Sequence, residues 1–365
     1  MADKLRVGII GASVSGGWGA RAHTPGIAHM PDVELAAVAT TRQETADASA
    51  KEFGASKGYG SFRDLVADPD IDLVSVVVKV PSHYEPTMAA IEAGKNVYCE
   101  WPLGKNTAEA EEMANAAAAK GVLNAVGMQG RLDPVQNYVK KLLADGYVGE
   151  VLAVNMTYFR DGVLARPFSR TWQRDVELGA TTLTIIGGHA IDSISYCVSE
   201  FAEVSARVVT RVHQWLSTDT NEVLDVTAPD NVLIAGVLKN GAVASVHVGT
   251  LPYHGEGYKL EIWGREGQLV MTAAEGPNIG PMELRGSKGA APLERMLPPS
   301  EYIFVPEDMP KGAPFNIAQI YARAADAVKD GSALKAPTFA DAVKHHKLLD
   351  AIDLASKEGR AVTIE

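Results

Sequence analysis

Cysteine is almost missing from this chain. Cys99 and Cys197 are the only two in 365 residues, and neither belongs to a Cys-x-x-Cys pair. A disulfide framework is therefore excluded. No apolar run approaches the ~20 residues that cross a bilayer. Basic blocks are also lacking: Lys and Arg number 34 against 45 Asp and Glu, a net charge of −11. An acidic chain without a basic stretch argues against nucleic acid or an anionic membrane as the main partner. Internal repeats, low-complexity tracts, a Walker loop and a Ser nucleophile elbow do not occur. The opening residues pass straight into a strand, so no secretory leader and a cytoplasmic setting are expected. What is present is ordinary globular material, 46% hydrophobic and 22% charged, and the length calls for two domains.

The first third alternates strand and helix. Apolar runs at 5–10, 35–39 and 73–78 read as strands buried on both faces. Between and after them come a helix start at Ser61, an alanine-rich helix at 85–93 ended by Gly94, and a long helix capped by Asn106. Short strands follow at 96–99 and 122–126. This alternation predicts a doubly wound parallel sheet. From Val151 the strands lengthen and alternate apolar with polar: 152–159, 203–215, 231–238, 243–249, 258–263 and 268–272. Asn240-Gly241 is a hairpin signal between two of them. An antiparallel sheet with one wet face is expected. Residues 273–313 show no periodicity, and helices at 316–329 and 339–357 close the chain. The expected domains are 1–128, a dinucleotide-binding Rossmann domain, and 129–365, a substrate-binding and oligomerisation domain.

The first strand runs into Gly11-Ala12-Ser13-Val14-Ser15-Gly16-Gly17-Trp18. Gly11, Ser13 and Gly16 stand at the spacing of Gly-x-Gly-x-x-Gly. That pattern supplies a tight turn, close backbone approach to a pyrophosphate, and helix–strand packing, in that order. The phosphates then meet N–H groups at a helix N-terminus. An acid at the end of the second strand would grip the NAD ribose, but Thr40, Thr41 and Arg42 stand there. Arg42 suits a 2′-phosphate or is a solvated charge, so NAD is expected with NADP left open.

Residues 166–175 place Arg166, Arg170, Arg174, Trp172 and Gln173 close together in an acidic protein. Arginine forks suit carboxylate, phosphate or sulfonate, and tryptophan offers a stacking face for a sugar. The plainer alternative is a solvated loop with surface ion pairs. Tyr158 and Arg160, at the end of the first long strand, are placed to reach the same cleft. His345 and His346 lie on the closing helix with no third ligand at metal spacing, and no metal is expected.

Several motifs in order resemble the Gfo/Idh/MocA family of sugar and cyclitol oxidoreductases. They are the glycine turn, Val80-Pro81-Ser82, the run Ala93-Gly94-Lys95-Asn96-Val97-Tyr98-Cys99-Glu100-Trp101-Pro102, Tyr147-Val148-Gly149-Glu150-Val151, and Gly187-Gly188-His189-Ala190-Ile191-Asp192. The resemblance spans essentially the whole chain. It implies an N-terminal Rossmann domain, a C-terminal open-faced antiparallel sheet, a sugar-like substrate between them, and a homo-oligomer. It implies coenzyme contacts at Gly11, Ser13, Gly16, Gly17, Trp18, Thr41, Arg42, Val80, Pro81, His83, Glu100, Trp101 and Pro102, with Pro102 cis. Two positions depart from the family. Its Glu-Lys-Pro lysine is Trp101 here, and its Asp four residues before the histidine is Ile185. Glu-Trp-Pro resembles instead the branch that holds the yeast galactose-regulon repressor.

His189 is the general base the resemblance implies, since an imidazole titrates near working pH. Tyr158 is a second catalytic candidate. Substrate contacts are expected at Trp101, Arg166, Arg170, Trp172, Gln173 and Arg174. Three functions remain. The first is NAD(P)-linked hydride transfer on a sugar or glycoside bearing an anionic group. The second is a redox glycoside hydrolase, in which NAD+ transiently oxidises C3 and the aglycone is eliminated from a uronide or sulfosugar glycoside. The third is a non-catalytic dinucleotide sensor.

Overall fold

A computed structural model describes residues 4–364. Packing divides the chain into two units, residues 1–132 with 303–344, and residues 133–302 with 345–365. The first unit includes residues 303–344, which the expected division into 1–128 and 129–365 gave to the second domain.

In the first unit six strands form one sheet: β1 (Leu5–Ile10), β2 (Val33–Ala39), β3 (Lys57–Tyr59), β4 (Leu73–Val76), β5 (Asn96–Cys99) and β6 (Asn124–Val126). They are all parallel and ordered β3-β2-β1-β4-β5-β6. This is the doubly wound order that reverses between β1 and β4, where a dinucleotide binds. Val7, Ile9, Leu73, Val74 and Val76 are fully buried, as strands covered on both faces require. The crossover helices are α1 (Thr24–Ala28, entered through a π turn Gly19–His23), α2 (Gln43–Phe53), α3 (Phe62–Ala67), α4 (Tyr84–Glu92) and α5 (Thr107–Lys120). Asn106 caps α5 by accepting from the Glu109 N–H at 2.9 Å, and left-handed Gly121 ends it.

The second unit begins with α6 (Pro134–Ala144) and holds α7 (Gly188–Cys197). Its nine-stranded sheet includes β7 (Val151–Arg160), and after the short β8 (Ala165–Arg166) come β9 (Phe201–Val209), β10 (Gln214–Ser217), β11 (Val223–Asp225), β12 (Asn231–Leu238), β13 (Val243–Thr250), β14 (Gly257–Gly264), β15 (Gly267–Ala273), β16 (Glu283–Lys288), β17 (Glu294–Met296) and β18 (Val362–Thr363). The order is β17-β16-β15-β14-β7-β13-β12-β9-β18, antiparallel except for β7 beside β13. The Asn240-Gly241 turn joins β12 to β13, with Gly241 at φ 88°.

Two features depart from the sequence reading. The expected strand 203–215 breaks after Val209, because buried Asp230 accepts from the N–H groups of Arg211 and Val212 at 2.8 and 2.7 Å and draws the chain out of the sheet. The released segment forms a small second sheet, β11-β10-β8. The loop-like stretch after Ala273 also holds β16 and β17. Their pairing partner β15 stabilises them, although their own residues are largely polar.

The chain closes with α8 (Ala313–Asp330) and α9 (Phe339–Glu358). Within the first unit, Ile317, Ile320 and Tyr321 of α8 are fully buried. Gln319 donates to the Leu132 carbonyl at 2.7 Å, and the Phe339 N–H donates to Asn124 at 2.9 Å. These long-range ties explain why residues 303–344 return to the first unit. Among the described residues no helix is long and apolar enough to cross a membrane, and no cluster of three His, Cys, Asp or Glu could hold a metal ion.

Candidate active site

In the first unit the glycine turn follows β1. Gly11 has φ 107°, and a Cβ there would lie 2.3 Å from the Val77 carbonyl oxygen. Only glycine fits. Ser13 and Ser15 share a hydroxyl hydrogen bond at 2.9 Å, and the Gly16 N–H donates to the Ser13 carbonyl at 2.9 Å. Gly16 and Gly17 both have positive φ and face open space. The close approach of helix to turn falls on Gly19, whose Cβ would meet the Ala12 Cα at 2.9 Å. The fingerprint spacing had given that packing role to Gly16. Trp18 is partly exposed beneath the Arg21 guanidinium, 5.4 Å from its ring. This exposed, glycine-built turn at a helix start suits a pyrophosphate. Thr41 and Arg42 are exposed at the end of β2, where a ribose would lie.

The six other expected positions are less open. Val80 and Pro81 form a short 3-10 turn, and His83 after it is 1% exposed. Its ring nitrogens lie 2.8 Å from the Pro102 carbonyl and 3.1 Å from the Val78 carbonyl, and burial pushes its pKa down. Trp101 is 4% exposed, so its ring faces are largely packed. The Trp101-Pro102 bond is cis. Glu100 is buried and engaged with other side chains of this unit: its Oε1 accepts from Tyr98 at 2.6 Å and lies 2.8 Å from His23 Nε2. Sequence reasoning passed over His23, which sits in an unremarkable helical stretch.

The second unit contains a cavity of about 260 Å³ whose lining includes three arginines, Arg160, Arg166 and Arg170, one carboxylate, Asp161, and Gln173, Trp215, Thr181, Thr182 and Thr250, with Ile185 and Ile186 as part of its apolar wall. The small sheet builds it. Residues Ala165 and Arg166 pair with Leu216 and Ser217, which sets the Arg166 guanidinium 3.9 Å over the Trp215 ring. Arg166 Nη1 donates to Gln173 Oε1 at 2.7 Å. Burial pushes the Arg166 pKa down to about 10, and the positive charges of Arg170 and Arg160 push the same way. A guanidinium crowded by like charges is a site that an anion would relieve. Thr181 caps the adjoining helical stretch, accepting from the Thr184 N–H at 3.2 Å.

Other expected residues sit differently around this cavity. His189 is the second residue of α7 and is partly exposed, one turn beyond Ile185 and Ile186. Tyr158 points into the core: it is 2% exposed, its hydroxyl donates to the Glu275 carbonyl at 2.6 Å, and burial pushes its pKa up. Arg174 donates to the Asp225 carbonyl at 2.9 Å, and its own carbonyl accepts from Thr227 and Ala228. Neither Arg174 nor Trp172 lines the cavity. Trp215 was not foreseen, since its partner Arg166 is remote in sequence.

Residues 5–128 match the oxidoreductase family described as an NAD-binding Rossmann fold, Gfo/Idh/MocA, and residues 134–273 match the Gal80p C-terminal domain. The dehydrogenase aclE of Aspergillus oryzae is 32% identical over 299 residues, covering 76% of this chain and 79% of its own. Levoglucosan dehydrogenase of Pseudarthrobacter phenanthrenivorans is 30% identical over 294 residues, covering 74% of each. A solved levoglucosan dehydrogenase in complex with NADH and levoglucosan has a TM-score of 0.86 at 25% identity, over all of both chains.

Proposed function

We propose, from the premise that this chain belongs to the Gfo/Idh/MocA oxidoreductase family, that it is a cytoplasmic NAD(P)-dependent oxidoreductase of a sugar or glycoside bearing an anionic group. The premise gives it an NAD-binding Rossmann domain. The residues present fit that coenzyme: Gly11 permits the tight turn, and Gly16 and Gly17 leave exposed backbone before a helix start. Bound NAD supplies a hydride acceptor. The named functions of relatives, levoglucosan dehydrogenase and an NADP-linked scyllo-inositol 2-dehydrogenase, support a sugar or cyclitol as donor.

The cavity of the second unit is the observation that carries the anionic part of the reading. Arg166 and Arg170 would hold a carboxylate or sulfonate, with Gln173 orienting Arg166 and Trp215 supporting its planar face. His189 takes the hydroxyl proton as the carbinol is oxidised. The wall residue Ile185 offers no second base. Tyr158, Trp172 and Arg174 are left structural in this mechanism. The expected homo-oligomer is supported by Leu233, Val237 and Val243, exposed on the outer face of the large sheet.

The test mixes purified protein with NAD+ or NADP+ and a panel of neutral sugars, uronic acids and their aryl glycosides. Reduction of coenzyme by acidic sugars supports the proposal. Aglycone release without net reduction selects the redox glycoside hydrolase instead. Coenzyme binding with neither outcome selects a sensor, a reading that the Gal80p C-terminal match favours.

A further inference from the structure

A chain of hydrogen bonds in the first unit ends on one buried carboxylate. Glu100 stands immediately after β5, with its side chain 10% exposed. Its Oε1 accepts from the Tyr98 hydroxyl at 2.6 Å and lies 2.8 Å from Nε2 of His23, which is 0% exposed. The other imidazole nitrogen is 2.7 Å from the Tyr321 hydroxyl on α8, and that hydroxyl donates to Ser75 on β4 at 2.9 Å. The rings of His23, Tyr98 and Tyr321 pack 5.3 to 5.8 Å apart. Space is allotted for the carboxylate: a Cβ on Gly127, just past β6, would lie 2.5 Å from Glu100 Oε2.

Burying a carboxylate with an imidazole is a poor way to add stability, because desolvation offsets most of the attraction. In some proteins such a pair supplies instead a fixed register between the elements it joins. Here those elements come from opposite sides of the point where strand order reverses. His23 lies on the helix that follows the glycine turn, in the half of the sheet that takes the pyrophosphate. Ser75, Tyr98 and Glu100 lie on β4, β5 and the residue after β5, in the half that takes the second nucleoside.

We propose that His23 and Glu100 are positioning residues that hold the glycine-turn helix at a fixed separation from the ends of β4 and β5, so that both nucleosides of one dinucleotide are gripped together. The proposal rests on the dinucleotide reading above. A residue with this role does not touch the coenzyme. Its loss weakens the half of the ligand that lies across the reversal point and spares the half bound to the glycine turn.

The experiment compares NAD+ with ADP-ribose, which lacks the nicotinamide, by calorimetry on the full chain carrying His23→Gln, Glu100→Gln or both. Either single variant is expected to bind ADP-ribose within about threefold of the parent and NAD+ about tenfold more weakly, a difference of about 1.4 kcal/mol. The paired amides are expected to restore part of the NAD+ affinity. Equal weakening of both ligands, or no change in either, overturns the proposal. If the single variants do not fold, Tyr321→Phe decides the matter, since it removes only the outer link to His23 and Ser75. A lowered NAD+ to ADP-ribose affinity ratio in Tyr321→Phe supports the proposal, and an unchanged ratio overturns it. A parent protein that binds neither ligand refutes the dinucleotide reading itself.

Discussion

The Arg166 guanidinium lies 3.9 Å over the indole of Trp215, and the two are brought together by a two-residue strand. Arg166 Nη1 donates to Gln173, and the rest of the fork suits an anion. Burial and the neighbouring positive charges of Arg170 and Arg160 leave this cation under-compensated. An anionic substrate would supply the missing charge.

Arg166→Met keeps most of the stem volume and removes the fork. For an acidic sugar, kcat/KM is expected to fall about 10- to 100-fold, the loss of a hydrogen bond to a charged group. Neutral sugars should change by less than about threefold. Steady-state kinetics with a uronic acid and its parent sugar measure both. Equal losses for the two substrates would remove the anion from the proposed function.

The same cation gives a pH signature. Its folded pKa of about 10 lies below the ordinary arginine value, so folding disfavours the charged form. That penalty is present below about pH 10 and is relieved as pH rises above it. A bound anion needs the charge, so affinity for a carboxylate is expected to decline as pH passes about 10. Titration calorimetry on parent and Arg166→Met proteins isolates the effect, which the variant should lack.

His346 gives the acid side of the profile. It is 5% exposed, and burial together with the charge of neighbouring His345 pushes its pKa down to about 3. A depressed folded pKa contributes stability above the ordinary 6.5, and that stability is lost as pH falls from 6.5 towards 3. At pH 5 the loss is about 2 kcal/mol, from a gap of about 1.5 units. His346→Leu is therefore expected to flatten the fall in Tm between pH 7 and pH 5. An unaltered slope would show that another group drives the acid response.

Much of the architecture is legible because it is written in local pattern. An apolar run marks β1, a valine-rich one marks β4, and Asn240-Gly241 marks its hairpin, with no need of distant partners. The site is legible only where its residues are neighbours in sequence: Arg166, Arg170 and Gln173 share one turn-rich segment. Trp215 and His23 were missed because their roles depend on Arg166 and Glu100, each placed beside them by strand pairing or helix docking. The break after Val209 was hidden for the same reason, since Asp230 causes it from across a loop.

Glycines in the turn separate steric from conformational need. Gly11→Ala would place a Cβ 2.3 Å from the Val77 oxygen at φ 107°, and is expected to cost about 3 kcal/mol or more together with coenzyme binding. Gly16→Ala meets nothing within reach and bears only the positive-φ strain, about 1 to 2 kcal/mol. Denaturant unfolding ranks them. Equal costs would mean that the turn relaxes around Gly11.

His189 is partly exposed near the start of α7, one turn beyond the wall residues Ile185 and Ile186, while Tyr158 is sealed against the Glu275 carbonyl. His189→Ala should therefore reduce kcat by about 10² to 10⁴-fold, the usual contribution of a positioned base. Coenzyme affinity should be unchanged, because the glycine turn belongs to the other unit. Tyr158→Phe, by contrast, removes one buried hydrogen bond and should lower stability by about 1 kcal/mol while sparing kcat. If Tyr158→Phe abolished turnover and His189→Ala did not, the proton would have to leave through the core side of β7. The assignment of the base would then pass from the helix to the strand.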